Sequence, residues 1–106
     1  MAAAEAGRLA DKVALISGTG RGMGRAAALE FASQGARVFG CDLNEAENAE
    51  TVELVTKAGG VMDALAPVNL NNREGAQAWV AAAVDRFGRV DVLYNNASAQ
   101  IGRAHV

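Results

Sequence analysis

The sequence predicts an α/β fold, a doubly wound parallel sheet with helices on both of its faces. Short apolar runs alternate with longer segments of helical periodicity, in the order β-α-β-α-β-α-β. A glycine-rich loop lies directly between the first apolar run and the first helical segment. Strands that alternate with helices are joined by right-handed crossovers, which place the strands parallel in one sheet.

Four segments are predicted to be strands. Each contains a run of mostly apolar residues that is too short for a stable helix, as is typical of strands buried in a parallel sheet. The four segments are residues 13–16, residues 37–41, a strand within residues 61–68, and residues 90–94.

Three segments are predicted to be helices. The first covers residues 25–34 and is followed by Gly35, which can end a helix. The second begins at Asn44 and runs to about residue 58. The Asn44 side chain can cap the free N–H groups of this helix, and Glu47 can reach back to the cap.

The third helix is predicted to begin after Asn71 or Asn72 and to end at Gly88. Its apolar residues recur at intervals of three and four, the spacing of one continuous stripe that faces a sheet. The stripe contains Ala76, Trp79, Val80, Ala83, Val84 and Phe87.

Composition and charge exclude several classes of protein. Of the 106 residues, 51% are hydrophobic and 21% are charged, which suits a domain with a core rather than a disordered chain. The net charge of −2 and the pI of about 5.3 offer no basic patch to nucleic acid or to an anionic membrane. A single cysteine, Cys41, no secretory signal pattern and no apolar run of roughly 18 residues favour a cytoplasmic protein.

The glycine-rich loop has the features of a phosphate-binding loop. The helix that follows it presents unpaired N–H groups and a partial positive charge, and glycines let phosphate oxygens approach the backbone. Gly18, Gly22 and Gly24 have the spacing G-x-x-x-G-x-G, whereas G-x-G-x-x-G would require a glycine at Met23. We expect seven loop residues to contact a dinucleotide: Ser17, Gly18, Gly20, Arg21, Gly22, Met23 and Gly24.

Asp42 ends the second predicted strand, 18 residues after Gly24. A carboxylate at about this distance can accept hydrogen bonds from the adenosine ribose hydroxyls of NAD. It would also repel the extra phosphate of NADP, and Leu43, the next residue, has no positive charge to attract that phosphate. We therefore expect NAD as the cofactor, with Asp42 and Leu43 beside its ribose.

The glycine spacing resembles the T-G-x-x-x-G-x-G signature of the short-chain dehydrogenase/reductase family, with Ser17 in place of the threonine. The segment Asn95-Asn96-Ala97-Ser98 is similar to the family's N-N-A-G, with serine in place of the glycine. The resemblance covers residues 9–99. It implies a Rossmann-like NAD-binding half-domain with strand order 3-2-1-4 and three helices.

The resemblance implies roles for further residues. Asn69 stands where the family usually has an aspartate against the adenine amino group, and Leu70 would supply backbone contacts. Asn95, Asn96 and Ala97 would brace the central sheet and line the ribose of the cofactor.

The resemblance also bears on the choice of cofactor. A basic residue just before the second glycine, as Arg21 is here, accompanies NADP in part of the family. We weigh Asp42 more heavily, because a carboxylate that faces a phosphate costs more than a distant arginine contributes. NAD is therefore expected, and NADP is the less favoured alternative.

The resemblance implies an oxidoreductase, often a homo-oligomer, that transfers a hydride between NAD(H) and an alcohol or carbonyl substrate. In the family a serine orients the substrate, and a tyrosine with a lysine four residues on transfers the proton. Here the single tyrosine, Tyr94, is followed four residues on by Ser98. We therefore expect no catalytic residue among these 106 residues, and no activity from them alone.

Two other functions are compatible with the same pattern. One is a non-catalytic nucleotide-binding module. The other is a methyltransferase with a nucleoside cofactor, a class that also pairs a glycine-rich loop with an acidic end of the second strand. The spacing of Gly22 and Gly24 and the Asn95-Asn96-Ala97 segment argue against the methyltransferase.

The chain is predicted to comprise a flexible leader over residues 1–8, the half-domain over residues 9–99, and a non-native or disordered tail over residues 100–106. Residues 101–106 match what a common sequencing-library adapter would encode in frame, so we expect native sequence to end at Ala99 or within the codon of Gln100. A bare edge on the apolar fourth strand would favour aggregation, so we also expect marginal stability and weak binding of NAD.

Overall fold

The fold is built on a four-stranded parallel sheet. The structure, a computed structural model, describes residues 7–96. The predicted doubly wound α/β fold and its strand order are confirmed, since the strands lie in the order β3-β2-β1-β4. The strands are β1 (Val13–Ser17), β2 (Arg37–Cys41), β3 (Val61–Leu65) and β4 (Val92–Tyr94).

Strand β1 lies inside the sheet and is buried along its whole length. Its continuous apolar sequence follows from this position, because helices cover both faces of an inner parallel strand. All five residues of β1 pair with β2, with Leu15 opposite Phe39, whereas three residues pair with β4. Strand β1 is therefore paired more extensively with β2 than with β4.

Three helices connect the strands: α1 (Gly22–Ser33), α2 (Glu45–Lys57) and α3 (Arg73–Phe87). Helices α1 and α2 pack on one face of the sheet, where Ile16 and Val55 are fully buried. Helix α3 packs on the other face, where Trp79 lies against Leu15 in a second cluster. Within residues 7–96, no helix combines the length and the apolar character needed to cross a membrane.

Helix α1 begins three residues earlier than predicted, at Gly22, and ends at Ser33 rather than at residue 34. Glycine has a low helix propensity, so the sequence alone placed Gly22 and Gly24 in the loop. In the structure Gly24 packs on the backbone of Gly18, and a Cβ at Gly24 would lie 1.7 Å from the Gly18 carbonyl oxygen. The helix can begin inside the loop because glycine leaves room for this contact.

The limits of the last two strands have identifiable reasons. Strand β3 ends at Leu65, shortly before Pro67, which has no N–H to extend the ladder. Strand β4 begins at Val92 rather than at residue 90, so the predicted start was two residues early. Asp91 is bound to Val13 through both its backbone and its side chain: its N–H donates to the Val13 oxygen at 2.9 Å, and its carboxylate accepts from the Val13 N–H at 2.8 Å.

Asparagine side chains cap two of the helices. Asn44 accepts from the Glu47 N–H at 2.9 Å, as predicted. The predicted return bond from the Glu47 side chain is wrong, because the Asn44 N–H donates to Asp42 Oδ1 at 2.8 Å. Asn72, and not Asn71, caps α3, and its Oδ1 accepts from two N–H groups of the first turn.

The apolar stripe on α3 is narrower than predicted. Trp79 and Ala83 are buried against the sheet, but Val80 and Val84 are 43% and 46% exposed. Helix α3 packs on β1, β2 and β3, and Leu93 on β4 is 61% exposed. The spacing correctly identified a helix that faces the sheet, but only one edge of the stripe is covered within residues 7–96.

Replacing Trp79 with phenylalanine should destabilise the fold. The buried indole N–H donates to the Gly40 oxygen at 3.0 Å, so phenylalanine leaves space and removes a buried hydrogen bond. We expect the free energy of unfolding to fall by about 1–3 kcal/mol. Urea unfolding followed by circular dichroism measures this, with the half-exposed Val80→Ala as a control expected to change stability by less than about 0.5 kcal/mol. Equal losses in the two variants would contradict the packing described.

The thiol of Cys41 should make stability fall at alkaline pH. Burial raises the pKa of Cys41 from 9.0 to about 12. Below pH 9 the thiol keeps its proton in both the folded and the unfolded chain. Between about 9 and 12 only the folded chain keeps it, so the free energy of unfolding falls as the pH rises. Urea unfolding across this range should show a steeper decline for the unaltered chain than for Cys41→Ala. Parallel declines would show that the thiol does not contribute.

Candidate functional site

A cleft of about 610 Å³ opens at the carboxyl ends of β1, β2 and β4. Eight of the residues predicted from the sequence line it: Gly18, Arg21, Gly22, Met23, Asp42, Leu43, Asn95 and Asn96. Three residues that the sequence analysis did not assign to the site complete the lining: Asn44, Glu47 and Tyr94. The topology explains this convergence, because the carboxyl ends of parallel strands meet at one edge of the sheet, where open α/β sheets bind ligands.

The other predicted site residues lie elsewhere. Ser17, Gly20 and Gly24 are buried and are not part of the cleft lining. Asn69 and Leu70 are not part of the cleft lining, and the Asn69 side-chain oxygen accepts from the Asn71 N–H at 2.9 Å within its own turn. Ala97 lies outside the described residues. The adenine contact assigned to Asn69 stays a prediction.

The glycine-rich loop and the start of α1 form one wall of the cleft. Gly18 and Gly22 have φ values of 71° and 61°, a left-handed conformation that glycine adopts without strain. Arg21 occupies the N-cap position of α1 and provides no side-chain cap, whereas α2 and α3 are capped by asparagine side chains. The N–H groups in the first turn of α1 are therefore available to an anion.

Asp42 joins the loop to the second strand. Its Oδ2 accepts from the Gly20 N–H at 2.7 Å and its Oδ1 accepts from the Asn44 N–H at 2.8 Å. Each carboxylate oxygen has a second acceptor position, so these two bonds leave Asp42 able to accept from a ligand. The sequence predicted Asp42 as a ligand contact, but its second role in holding Gly20 was not foreseen.

A polar cluster that was not predicted lies beneath the loop. The Thr19 hydroxyl is within hydrogen-bonding distance of the Cys41 oxygen, at 3.3 Å, and of Asn48 Oδ1, at 2.5 Å. Thr19, Asn48 and Thr51 are all buried. A signal was present in the sequence: Asn48 and Thr51 share a helix face with Val55, at spacings of three and four, so polar residues were to be expected inside.

The end of β4 is tied to the end of β1. The Ser17 hydroxyl donates to Asn95 Oδ1 at 3.1 Å, across the two neighbouring strands. This bond agrees with the bracing role that the sequence resemblance implied for Asn95. Asn96 follows and lines the cleft.

Charge around the cleft is mixed. Arg21 is 82% exposed, and its Nε lies 3.9 Å from Glu47 Oε1. Exposed pairs of this kind contribute little to stability, so Arg21 is free to reorient. Among the described residues, no three histidine, cysteine, aspartate or glutamate side chains are grouped so that they could hold a metal ion.

Comparison with known proteins agrees with this architecture. The family model for short chain dehydrogenases matches residues 12–105. The short-chain dehydrogenase/reductase homolog YusS of Bacillus subtilis (strain 168) is 39% identical over 89 residues, which are 83% of this chain and 81% of YusS. For several other curated relatives the chain spans about a third of their length, from 32% to 37%.

Solved structures give the same result. A short-chain dehydrogenase/reductase from Burkholderia xenovorans is 42% identical with a TM-score of 0.80, over 86% of this chain and 36% of that one. The F189W actinorhodin polyketide ketoreductase, solved with NADPH, is 35% identical with a TM-score of 0.77, over 80% of this chain and 32% of that one. With its strand order, its glycine-rich loop and a family match over most of its length, the chain belongs to the short-chain dehydrogenase family.

Proposed function

We propose that the chain is the NAD(H)-binding part of an oxidoreductase that transfers a hydride between NAD(H) and an alcohol or carbonyl carbon. The observation that carries this proposal is the position of Asp42. Its carboxylate lines the same cleft as the start of α1, and it is held in place by the Gly20 and Asn44 N–H groups. Phosphate-binding and ribose-binding groups therefore lie side by side.

The residues of the cleft fit a dinucleotide. The N–H groups at the start of α1, with Gly18 and Gly22 beside them, would bind the diphosphate. Asp42 would accept hydrogen bonds from the adenosine ribose, and Leu43 would lie against the adenosine. On the far side of the cleft, Asn95 and Asn96 would contact the nicotinamide half. When bound, the cofactor supplies the hydride chemistry, and these residues hold and orient it.

NAD is favoured over NADP by the arrangement of charge. An NADP phosphate on the adenosine ribose would lie against the Asp42 carboxylate and lose water without gaining a cation in exchange. Among residues 7–96, Arg21 is the one cation in the cleft lining. To bind that phosphate, its exposed side chain would have to become ordered and move away from Glu47. The family includes a ketoreductase solved with NADPH, so the preference rests on Asp42 and not on family membership.

We further propose that the catalytic groups are not among these 106 residues. Tyr94, the single tyrosine, lines the cleft but stacks against Phe31 at 6.0 Å between ring centroids, and no lysine follows it four residues on. We also propose that the substrate is a small alcohol or carbonyl compound, that the protein is a homo-oligomer and that it is cytoplasmic. The comparisons favour neither a methyltransferase nor a purely non-catalytic module.

Isothermal titration of the 106-residue chain with NADH and with NADPH tests the binding proposal. We expect NADH to bind with the lower Kd, and S-adenosylmethionine not to displace it. Tighter binding of NADPH would overturn the preference for NAD, and failure to bind either dinucleotide would overturn the proposed function.

Substituting Asp42→Asn should shift the preference towards NADPH. Loss of the negative charge removes the repulsion of the extra phosphate, and loss of one strong acceptor weakens binding of the NAD ribose. We expect the ratio of the NADPH Kd to the NADH Kd to fall about tenfold or more, which corresponds to roughly 1.4 kcal/mol. The titration is repeated with Asp63→Asn, whose carboxylate pairs with Arg86 outside the cleft. A similar fall in this control would mean that Asp42 has no specific role.

A further inference from the structure

The backbone of Gly20 is held at both of the peptide groups that it joins. Its N–H donates to Asp42 Oδ2 at 2.7 Å. Its carbonyl oxygen accepts from Arg25 Nη2 at 2.6 Å, and the Thr51 hydroxyl lies 3.3 Å from the same oxygen. The two groups belong to consecutive peptides that share the Gly20 Cα, so a displacement of Gly20 that lost the Arg25 contact would also move the N–H away from Asp42.

Arg25 spans the gap between α1 and α2. Its Nε donates to Thr51 Oγ1 at 2.9 Å. Its Nη2 is also close to the Glu47 carbonyl oxygen, at 3.2 Å, and to Glu50 Oε1, at 2.9 Å. The Arg25 side chain is 25% exposed and Thr51 is fully buried, so water competes weakly for these bonds. The planar guanidinium has several donors in a fixed arrangement, which suits this set of acceptors better than a lysine would.

The loop packs closely against Asp42 and Glu47 at Gly20. A Cβ there would lie 2.8 Å from Asp42 Oδ2 and 3.2 Å from the Cβ of Glu47. The loop therefore approaches both the end of β2 and the start of α2 as closely as a residue without a side chain allows. Arg25 itself is not part of the cleft lining.

We propose that Arg25 is a positioning residue for cofactor selection: by binding the Gly20 carbonyl it holds the Gly20 backbone in place, and with it the N–H that fixes the Asp42 carboxylate, the group that discriminates NAD from NADP. The inference rests on the proposed function, since it concerns how the same site selects its nucleotide. Without Arg25 the Gly20 backbone can shift away from β2, and Asp42 loses one of its two backbone donors. The carboxylate can then rotate away from an NADP phosphate.

Nucleotide titration of Arg25→Met and Arg25→Lys tests the proposal. The ratio of the NADPH Kd to the NADH Kd should fall about tenfold in Arg25→Met and by a smaller factor in Arg25→Lys, which keeps the charge but has one donor group. Arg86→Met is the matched control, because Arg86 is also a helical arginine paired with a carboxylate, Asp63, and is absent from the cleft lining. Its ratio should not change.

This ratio separates positioning from simple stability. A variant that only unfolds part of the population weakens NADH and NADPH binding by the same factor and leaves the ratio as it was. An unchanged ratio in both Arg25 variants, with NADH still bound, overturns this inference and leaves the proposed function intact. If Arg25→Met does not fold, Arg25→Lys decides on the same criterion. Failure of the unaltered chain to bind either dinucleotide overturns both.

Amide hydrogen exchange of the ligand-free chain provides a second test. We expect Arg25→Met to raise the exchange rate of the Gly20 N–H about tenfold or more, while the N–H of Leu15, inside the sheet, exchanges as before. The same Gly20 rate in the unaltered chain and the variant would overturn the proposed link between Arg25 and Asp42.

Discussion

A single carboxylate that accepts two backbone N–H groups organises the edge of the sheet where the cleft lies. Asp42 binds Gly20 in the loop after β1 and Asn44 at the start of α2. Hydrogen bonds to an ionised acceptor are shorter and stronger than neutral ones. The loop after β1, which is distant in sequence, is therefore brought to the point where β2 ends and α2 begins, and both the approach of the loop and the course of α2 depend on Asp42. The group that would recognise the ribose is also the group that shapes the site.

Polar side chains beneath the loop give it a defined position. Burying Thr19, Asn48 and Thr51 costs free energy unless each group finds a hydrogen-bond partner. Among the described residues every buried side-chain nitrogen or oxygen has one. The partners include the carbonyl oxygens of Gly20 and Cys41, so the same bonds that offset desolvation also determine where the loop lies. Aliphatic side chains at these positions would be buried equally well but would form no hydrogen bonds that fix the position of the loop backbone.

Rigidity also distinguishes the two charged groups that bear on cofactor choice. Asp42 is held by two backbone donors before any ligand arrives, whereas Arg21 is exposed and only loosely associated with Glu47. Ordering a long, exposed side chain costs conformational entropy, while a carboxylate already in place does not incur that cost. Of two opposing groups on the same cleft, the one that is already ordered has the advantage. The difference in order between the two side chains supports the proposal that Asp42 outweighs Arg21 in the choice between NAD and NADP.

The amino-acid sequence by itself determined the order of strands and helices, the location of the loop and the end of β2, because these depend on local periodicity and on glycine and asparagine at fixed positions. The tertiary structure decided what depends on contacts between distant segments. It determined that Asp42 accepts from the Gly20 N–H, that only one edge of the α3 stripe is covered, and that Arg25 reaches Gly20 and Thr51. Sequence spacing describes neighbours along one element. The partners of Asp42 and Arg25 come from loops and helices that only the packed fold brings within hydrogen-bonding distance.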